Sequence, residues 1–367
     1  MFLDFQIIKK KKILIYDSES IEWLKKILNK KDYNIYYNRW FTKNRKEKIN
    51  FWILLNTLIS FRYNNLRSFK EQYKKNYINY ASPKVIITLI DTNPAFYLLK
   101  KEFPEIKTIA LQNGIRVSND FDIFKKQKKI FKNLECDYFF VFSNIIAKRL
   151  SKYIKSNYII SGSFKMNQVG IKKYKRKNKI LYISQTPFKS NLEIEKYEKL
   201  IIRLLYKICK KKNLGMDICC KKNMKTKLSN EFPYLKSNSI IESKGQNSYE
   251  IIQKYKLNIF KNSTLGFESL SIGEKTFSVP AGCFDKNWKK NKHLRQPEKF
   301  GYPLDLSNSG YCWENKLNEK KIEKKIFNLI KLKREKWKKI NSKRNKFMSY
   351  DKNNSKLKKI LKSFQIN

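Results

Sequence analysis

Histidine is almost missing from this chain of 367 residues, with His293 the only one. That excludes a zinc or catalytic site built from several histidines. Glycine and proline are scarce, at 10 and 8, which excludes collagen-like and linker-dominated architectures. The cysteines, Cys136, Cys209, Cys219, Cys220, Cys283 and Cys312, form no CxxC pair. They read as buried thiols instead of metal ligands or disulfides. The opening residues MFLDFQIIKKKK place the basic run after a short apolar piece, the reverse of an export signal, so none is expected. The longest apolar run, Ile49 to Phe61, is broken by Asn50, Asn56, Thr57 and Ser60. It falls short of the ~20 residues of a spanning helix.

Acids are also few: 31 against 82 Lys plus Arg, for a net charge of +51. This surplus has two readings. One is a polyanionic partner, nucleic acid or an anionic membrane. The other is codon bias, because Lys, Ile, Asn, Tyr and Phe all have A/T-rich codons. The lysines are spread along the whole chain and no nucleic-acid recognition motif accompanies them, so the second reading covers most of the charge. A basic nucleic-acid-binding protein stays as the alternative of another class, and no specific nucleic acid is expected. The hydrophobic fraction of 41% excludes a disordered chain.

Short apolar runs alternate with helical patterns. Strands are expected at Lys12–Tyr16, Val85–Ile90, Lys107–Leu111, Asp137–Phe142 and Tyr158–Ile160, with helices at IEWLKKIL, FYLLKKEF and IIAKRLSKYI between them. The pattern restarts with strands at Ile180–Ser184, Met216–Cys220, Ser239–Glu242, Leu257–Phe260 and Lys275–Val279. Helices are expected at Leu192–Lys211, Ser248–Tyr255 and Thr264–Ile272. This alternation predicts two tandem doubly wound, Rossmann-like α/β domains. The expected division is 1–168, a basic linker at 169–179, 180–315, and Lys-rich C-terminal helices at 316–367.

Ligands of such sheets bind beyond the carboxyl ends of the strands. Among the residues that rule selects are Asp17, Asp91, Gln112, Asn113, Gly114, Arg116 and Ser143 in the first half, and Ser184, Gln185, Asn262, Ser263, Thr264 and Gly266 in the second. Ser263 or Thr264 would cap a helix directly after a strand, a ready site for a diphosphate. Gly266 would allow close approach, and Glu268 would accept hydrogen bonds from ribose hydroxyls. The ordinary alternative is polar βα turns and a capping box.

The stretch VIITLIDTNPAFYLLKKEFPEIKTIALQNGIR (Val85 to Arg116) resembles bacterial surface-carbohydrate and lipopolysaccharide biosynthesis proteins, transferases with the glycosyltransferase-B (GT-B) double-Rossmann fold. IISGSFKMN (Ile159 to Asn167), ILYISQTPF (Ile180 to Phe188) and NSTLGFESLSIGEKTFSVP (Asn262 to Pro280) are similar to further segments of that family. The resemblance implies a nucleotide-sugar donor held mainly by the second domain. Ser184, Gln185, Asn262, Ser263, Thr264, Gly266 and Glu268 would form the donor side. Asp17, Gln112, Gly114 and Arg116 would form the acceptor side. No metal and no cofactor is expected, because such folds neutralise the leaving diphosphate with basic groups and helix dipoles.

Teichoic-acid glycerophosphotransferases of the same fold carry a histidine, the expected base, where Asn113 stands here. A neutral amide cannot take a proton, so Asp91 is the expected base and His293 the alternative. The expected activity is glycosyl transfer to a surface polysaccharide or lipid-linked acceptor. A sugar-nucleotide epimerase or a glycerophosphotransferase-like enzyme is the alternative on the same fold. The expected place is the cytoplasm, with peripheral contact to the inner face of the cytoplasmic membrane through Phe51–Leu55, Leu58 and Ile59 and their basic flanks.

Overall fold

Runs such as Ile13–Tyr16 and Val85–Thr88 carry no polar alternation, and such strands are stable only when both faces of the sheet are covered. In the computed structural model both runs are strands, buried at every residue. The structure describes residues 2–18, 20–37, 48–60, 66–131, 133–184, 192–221, 224–243, 247–280 and 299–365. Its strands in chain order are β1 (Phe2–Asp4), β2 (Ile13–Tyr16), β3 (Tyr33–Tyr36), β4 (Lys48–Asn50), β5 (Val85–Thr88), β6 (Lys107–Leu111), β7 (Leu134–Val141) and β8 (Ile154–Ile160). They continue as β9 (Lys177–Ile183), β10 (Gly215–Lys221), β11 (Ile240–Ser243), β12 (Tyr255–Phe260) and β13 (Thr276–Ser278).

Two parallel sheets result. The first has the order β3-β2-β5-β6-β7-β8 and the second β11-β10-β9-β12-β13. In each, the winding reverses beside the first strand, between β2 and β5 and between β9 and β12. Crevices at strand ends form at such reversals. Strand residues alternate between faces. Leu14, Tyr16, Ile86 and Ala110 face one core, while Ile13, Ile15, Val85 and Ile87 face another. That second core continues into Ile180–Ile183, Leu257, Ile259 and Phe260 of the other sheet, so one apolar interior joins the two halves.

The expected strands and the long helix Leu192–Lys211 are present, but the helix expected over FYLLKKEF is split into Pro94–Tyr97 and Leu99–Glu102, and the one expected over Ser248–Tyr255 ends at Ile251. The helix expected over IEWLKKIL covers only Ile21–Leu24. Strands β1, β3 and β4 are additional, and β1 pairs with β4 in a separate two-stranded ribbon. The segment 169–179, expected as a linker, gives its last three residues to β9, because Lys177 pairs with Tyr255 in the sheet.

The C-terminal helices bind both halves. Arg334, opening the helix Arg334–Arg344, pairs with buried Glu274 at 2.6 Å, and Trp337 is fully buried. The chain then crosses to the first sheet. The Ser349 N–H donates to the Phe142 carbonyl at 2.8 Å, and Asn167 Nδ2 donates to Asn354 Oδ1 at 2.9 Å. The helix Ser355–Ser363 buries Leu357 and Leu361. Gly162 makes the crossing possible. Its φ is 75°, and a Cβ there would lie 1.8 Å from the Ser349 carbonyl oxygen.

Candidate active site in the interdomain cleft

Strand β6 ends at Leu111, and Gln112 to Arg116 form the turn beyond it. Gln112 is buried and spans the turn: its Nε2 donates to the Gly114 carbonyl at 2.8 Å, and its Oε1 accepts from the Phe142 N–H at 2.8 Å. Asp91, beyond β5, is 2% exposed. One of its oxygens accepts from the Asn113 N–H at 3.1 Å and the other pairs with the Arg116 guanidinium. Burial lowers the Arg116 pKa to about 10, with Asp120 acting the other way, so the group stays charged at neutral pH.

Across the cleft, β12 ends at Phe260 and the helix Thr264–Ser271 begins after a three-residue turn. Thr264 Oγ1 accepts from the Ile115 N–H at 3.2 Å, which brings the two turns together. Ser263 occupies the cap position without a side-chain capping bond. A recess opens beside this contact. Gln112, Arg116, Ser143, Asn262 and Lys299 supply its polar lining, and Phe142, Phe267, Tyr302 and Phe347 much of its apolar wall. A concave, mostly apolar site with a few convergent polar groups is the usual form of a small-molecule site.

The structure corrects several expected roles. Asp91, expected as the base, is buried with both carboxylate oxygens engaged, so it holds the 112–116 turn in place. Glu268, expected on ribose hydroxyls, is 3% exposed and accepts from the Ser163 hydroxyl of the first domain. Burial raises its pKa to about 7, with Ser163, Lys165 and Tyr249 pulling the other way. Gly266, expected to admit a ligand, faces the Phe260 ring, where a Cβ would lie 2.1 Å from a ring carbon. Ser184 donates to Glu198 at 2.8 Å. Asp17 is buried at the end of β2, with a φ of 79°. Gln185 and His293 lie outside the described residues.

Other residues of the cleft were not expected from the sequence. Lys261, directly after β12, is 3% exposed and pairs with Glu198, which links the ends of β9 and β12 at the winding reversal. The signal was present: Glu198 lies three, four and seven residues before Ile201, Ile202 and Leu205, on the apolar face of its helix. An acid there needs a buried partner. Ser163 caps the helix Phe164–Val169 as well as donating to Glu268.

Asp120-Phe121-Asp122 has DxD spacing, but it sits in the first turns of the helix Ser118–Phe131. Asp120 accepts from the Val117 N–H at 3.0 Å, and residues two apart on a helix do not face each other. Among the described residues no group of three or more His, Cys, Asp or Glu side chains is placed to hold a metal ion.

Two tandem parallel α/β domains with a cleft at their strand ends define a GT-B-type, Rossmann-like fold with a helical C-terminal tail. The chain belongs to the family described as "putative O-antigen biosynthesis protein", whose model matches residues 109–365. Solved structures share the fold at low identity. UDP-GlcNAc 2-epimerase of Methanocaldococcus jannaschii, in complex with UDP-GlcNAc and UDP, matches with a TM-score of 0.54 at 14% identity, over 97% of this chain and 100% of that one. MnaA of S. aureus, solved with UDP, matches with 0.52 at 11%, over 98% of each. A variant of the wall teichoic acid polymerase TagF matches with 0.52 at 16%, over 98% of this chain and 90% of that one. No curated protein matches the chain.

Proposed function

We propose that this protein is a metal-independent glycosyltransferase of surface-polysaccharide assembly, moving a sugar from a nucleotide-activated donor to a glycan or lipid-linked acceptor. The observation that carries the reading is the meeting of the helix Thr264–Ser271 N-terminus with the 112–116 turn across the cleft. A helix N-terminus favours the negative charge that develops on a departing diphosphate. Arg116, its guanidinium paired with Asp91, lines the acceptor side of the same recess. Ser263 and Thr264, with Asn262 beside them, form the donor side, and Gln112 and Gly114 shape the acceptor side. The reaction needs no cofactor beyond the donor and takes place in the cytoplasm.

Purified protein would be melted with UDP, CDP, GDP and dTDP and with their sugars. A nucleotide at 100 times its Kd stabilises by about 2.7 kcal/mol, a clear rise in Tm. No shift with any nucleotide overturns the proposal.

Epimerisation is the second reading, favoured by the end-to-end fold match with the M. jannaschii epimerase. The two separate cleanly. An epimerase converts its nucleotide sugar with no acceptor present, whereas a transferase releases nucleotide only when an acceptor is added.

A further inference from the structure

We infer that the N-terminal ribbon and the helix Phe51–Ser60 form one docking surface for an anionic lipid bilayer. The inference does not depend on the transferase reading. A helix that is apolar all round belongs in a buried position. Phe51–Ser60 is apolar on nearly every side, but only Ile53 and Thr57 are buried. Trp52, Leu55, Leu58 and Ile59 are 48%, 41%, 58% and 79% exposed. The ribbon extends the same surface. Phe2, Phe5 and Ile7 are 53%, 61% and 77% exposed.

The two pieces are joined, not merely near. Phe5 packs on Phe51 with ring centroids 4.9 Å apart, and Trp52 Nε1 donates to the Phe5 carbonyl at 2.9 Å. Asn50 Nδ2 donates to the Gln6 carbonyl at 2.6 Å. These bonds fix the apolar side chains on a preformed surface. Single exposed apolar residues are ordinary, but a continuous patch marks an interaction site.

Charge identifies the occupant. In sequence, Lys43, Arg45, Lys46 and Lys48 precede the helix and Arg62 follows it, against two acids, Glu47 and the ribbon's Asp4, which pairs with Lys48 at 3.7 Å. Lys9 and Lys10 beyond the ribbon are exposed. Apolar side chains flanked by cations suit an interface of acyl chains beneath anionic headgroups. A second copy of this chain would set its own basic flanks against these and carries the same net charge of +51, so self-association is disfavoured.

The test uses the full chain with vesicles of phosphatidylglycerol and phosphatidylcholine, and of phosphatidylcholine alone, in flotation at low and high salt. Charge alone would bring a protein this basic to anionic vesicles, so the decisive variant keeps the charge: Trp52→Ser, Leu58→Ser and Ile59→Ser together. The expected result is binding to the anionic vesicles that partly survives high salt, and at least a tenfold lower partition for the triple variant at unchanged Tm. Binding abolished by salt and untouched by the triple variant overturns the inference. So does a dimer, seen by sedimentation, that the same variant dissociates. Should the triple variant not fold, quenching of wild-type fluorescence by brominated lipid decides: it must fall in Trp52→Phe, and equal quenching in both overturns the inference.

Discussion

The Glu268 carboxyl lies between Ser163 and Tyr249, and burial raises its pKa from 4.5 to about 7. A folded-state pKa above the unfolded one means that the native state holds the extra proton. Glu268 therefore costs no stability below about pH 4.5, where both states are protonated. The cost grows as pH rises from there to about 7 and is fully present above it, to a limit of about 3 kcal/mol at 1.36 kcal/mol per unit. Glu268→Gln should remove this dependence. Urea denaturation at pH 5 and pH 8 should show wild-type stability falling relative to the variant, and parallel behaviour would refute the assignment. At this scale the sequence marks which residues end strands, because polar residues follow apolar runs. It does not show what they touch. Ser184 and Asp91 follow that pattern, and Glu268 lies in the helix just beyond such an end. All three are occupied, by Glu198, Arg116 and Ser163.

The helix Thr264–Ser271 illustrates the next scale. Its start after β12 is legible, since the apolar run of the strand gives way to Asn262-Ser263-Thr264. Its close packing on that strand is not. Gly266 is buried against Phe260, itself a fully buried core residue with little room to move aside. In an open helix, Gly→Ala stabilises by about 1 kcal/mol. Here Gly266→Ala should destabilise by about 1–3 kcal/mol through overpacking. Chemical denaturation gives the sign directly, and a stabilised variant would mean that the helix can shift away from β12. Strand β3 escaped the sequence reading because Tyr-Asn-Ile-Tyr places a polar residue inside a four-residue run. Its place at the sheet edge, paired only with β2, makes that composition tolerable.

For the whole molecule, the tail is the element that ties the halves. It holds the second domain through Arg334 and the first through Ser349 and Asn354. Gly162→Ala tests this tie at one atom, because both its positive φ and the Ser349 carbonyl oppose a side chain. The variant should lose at least about 2 kcal/mol. It should also expose the Lys-rich tail to limited proteolysis, and a tail as resistant as in the wild type would contradict the tie.

The sequence by itself determined the two parallel sheets and the strand ends that line the cleft. Periodicity and the change from apolar to polar are properties of adjacent residues. Only the tertiary structure decided which polar residues remain available to a ligand. Ser163 and Glu268 are 105 positions apart, and Ile115 and Thr264 are 149 apart. No local pattern specifies such contacts, because they depend on how two separately patterned sheets pack against each other.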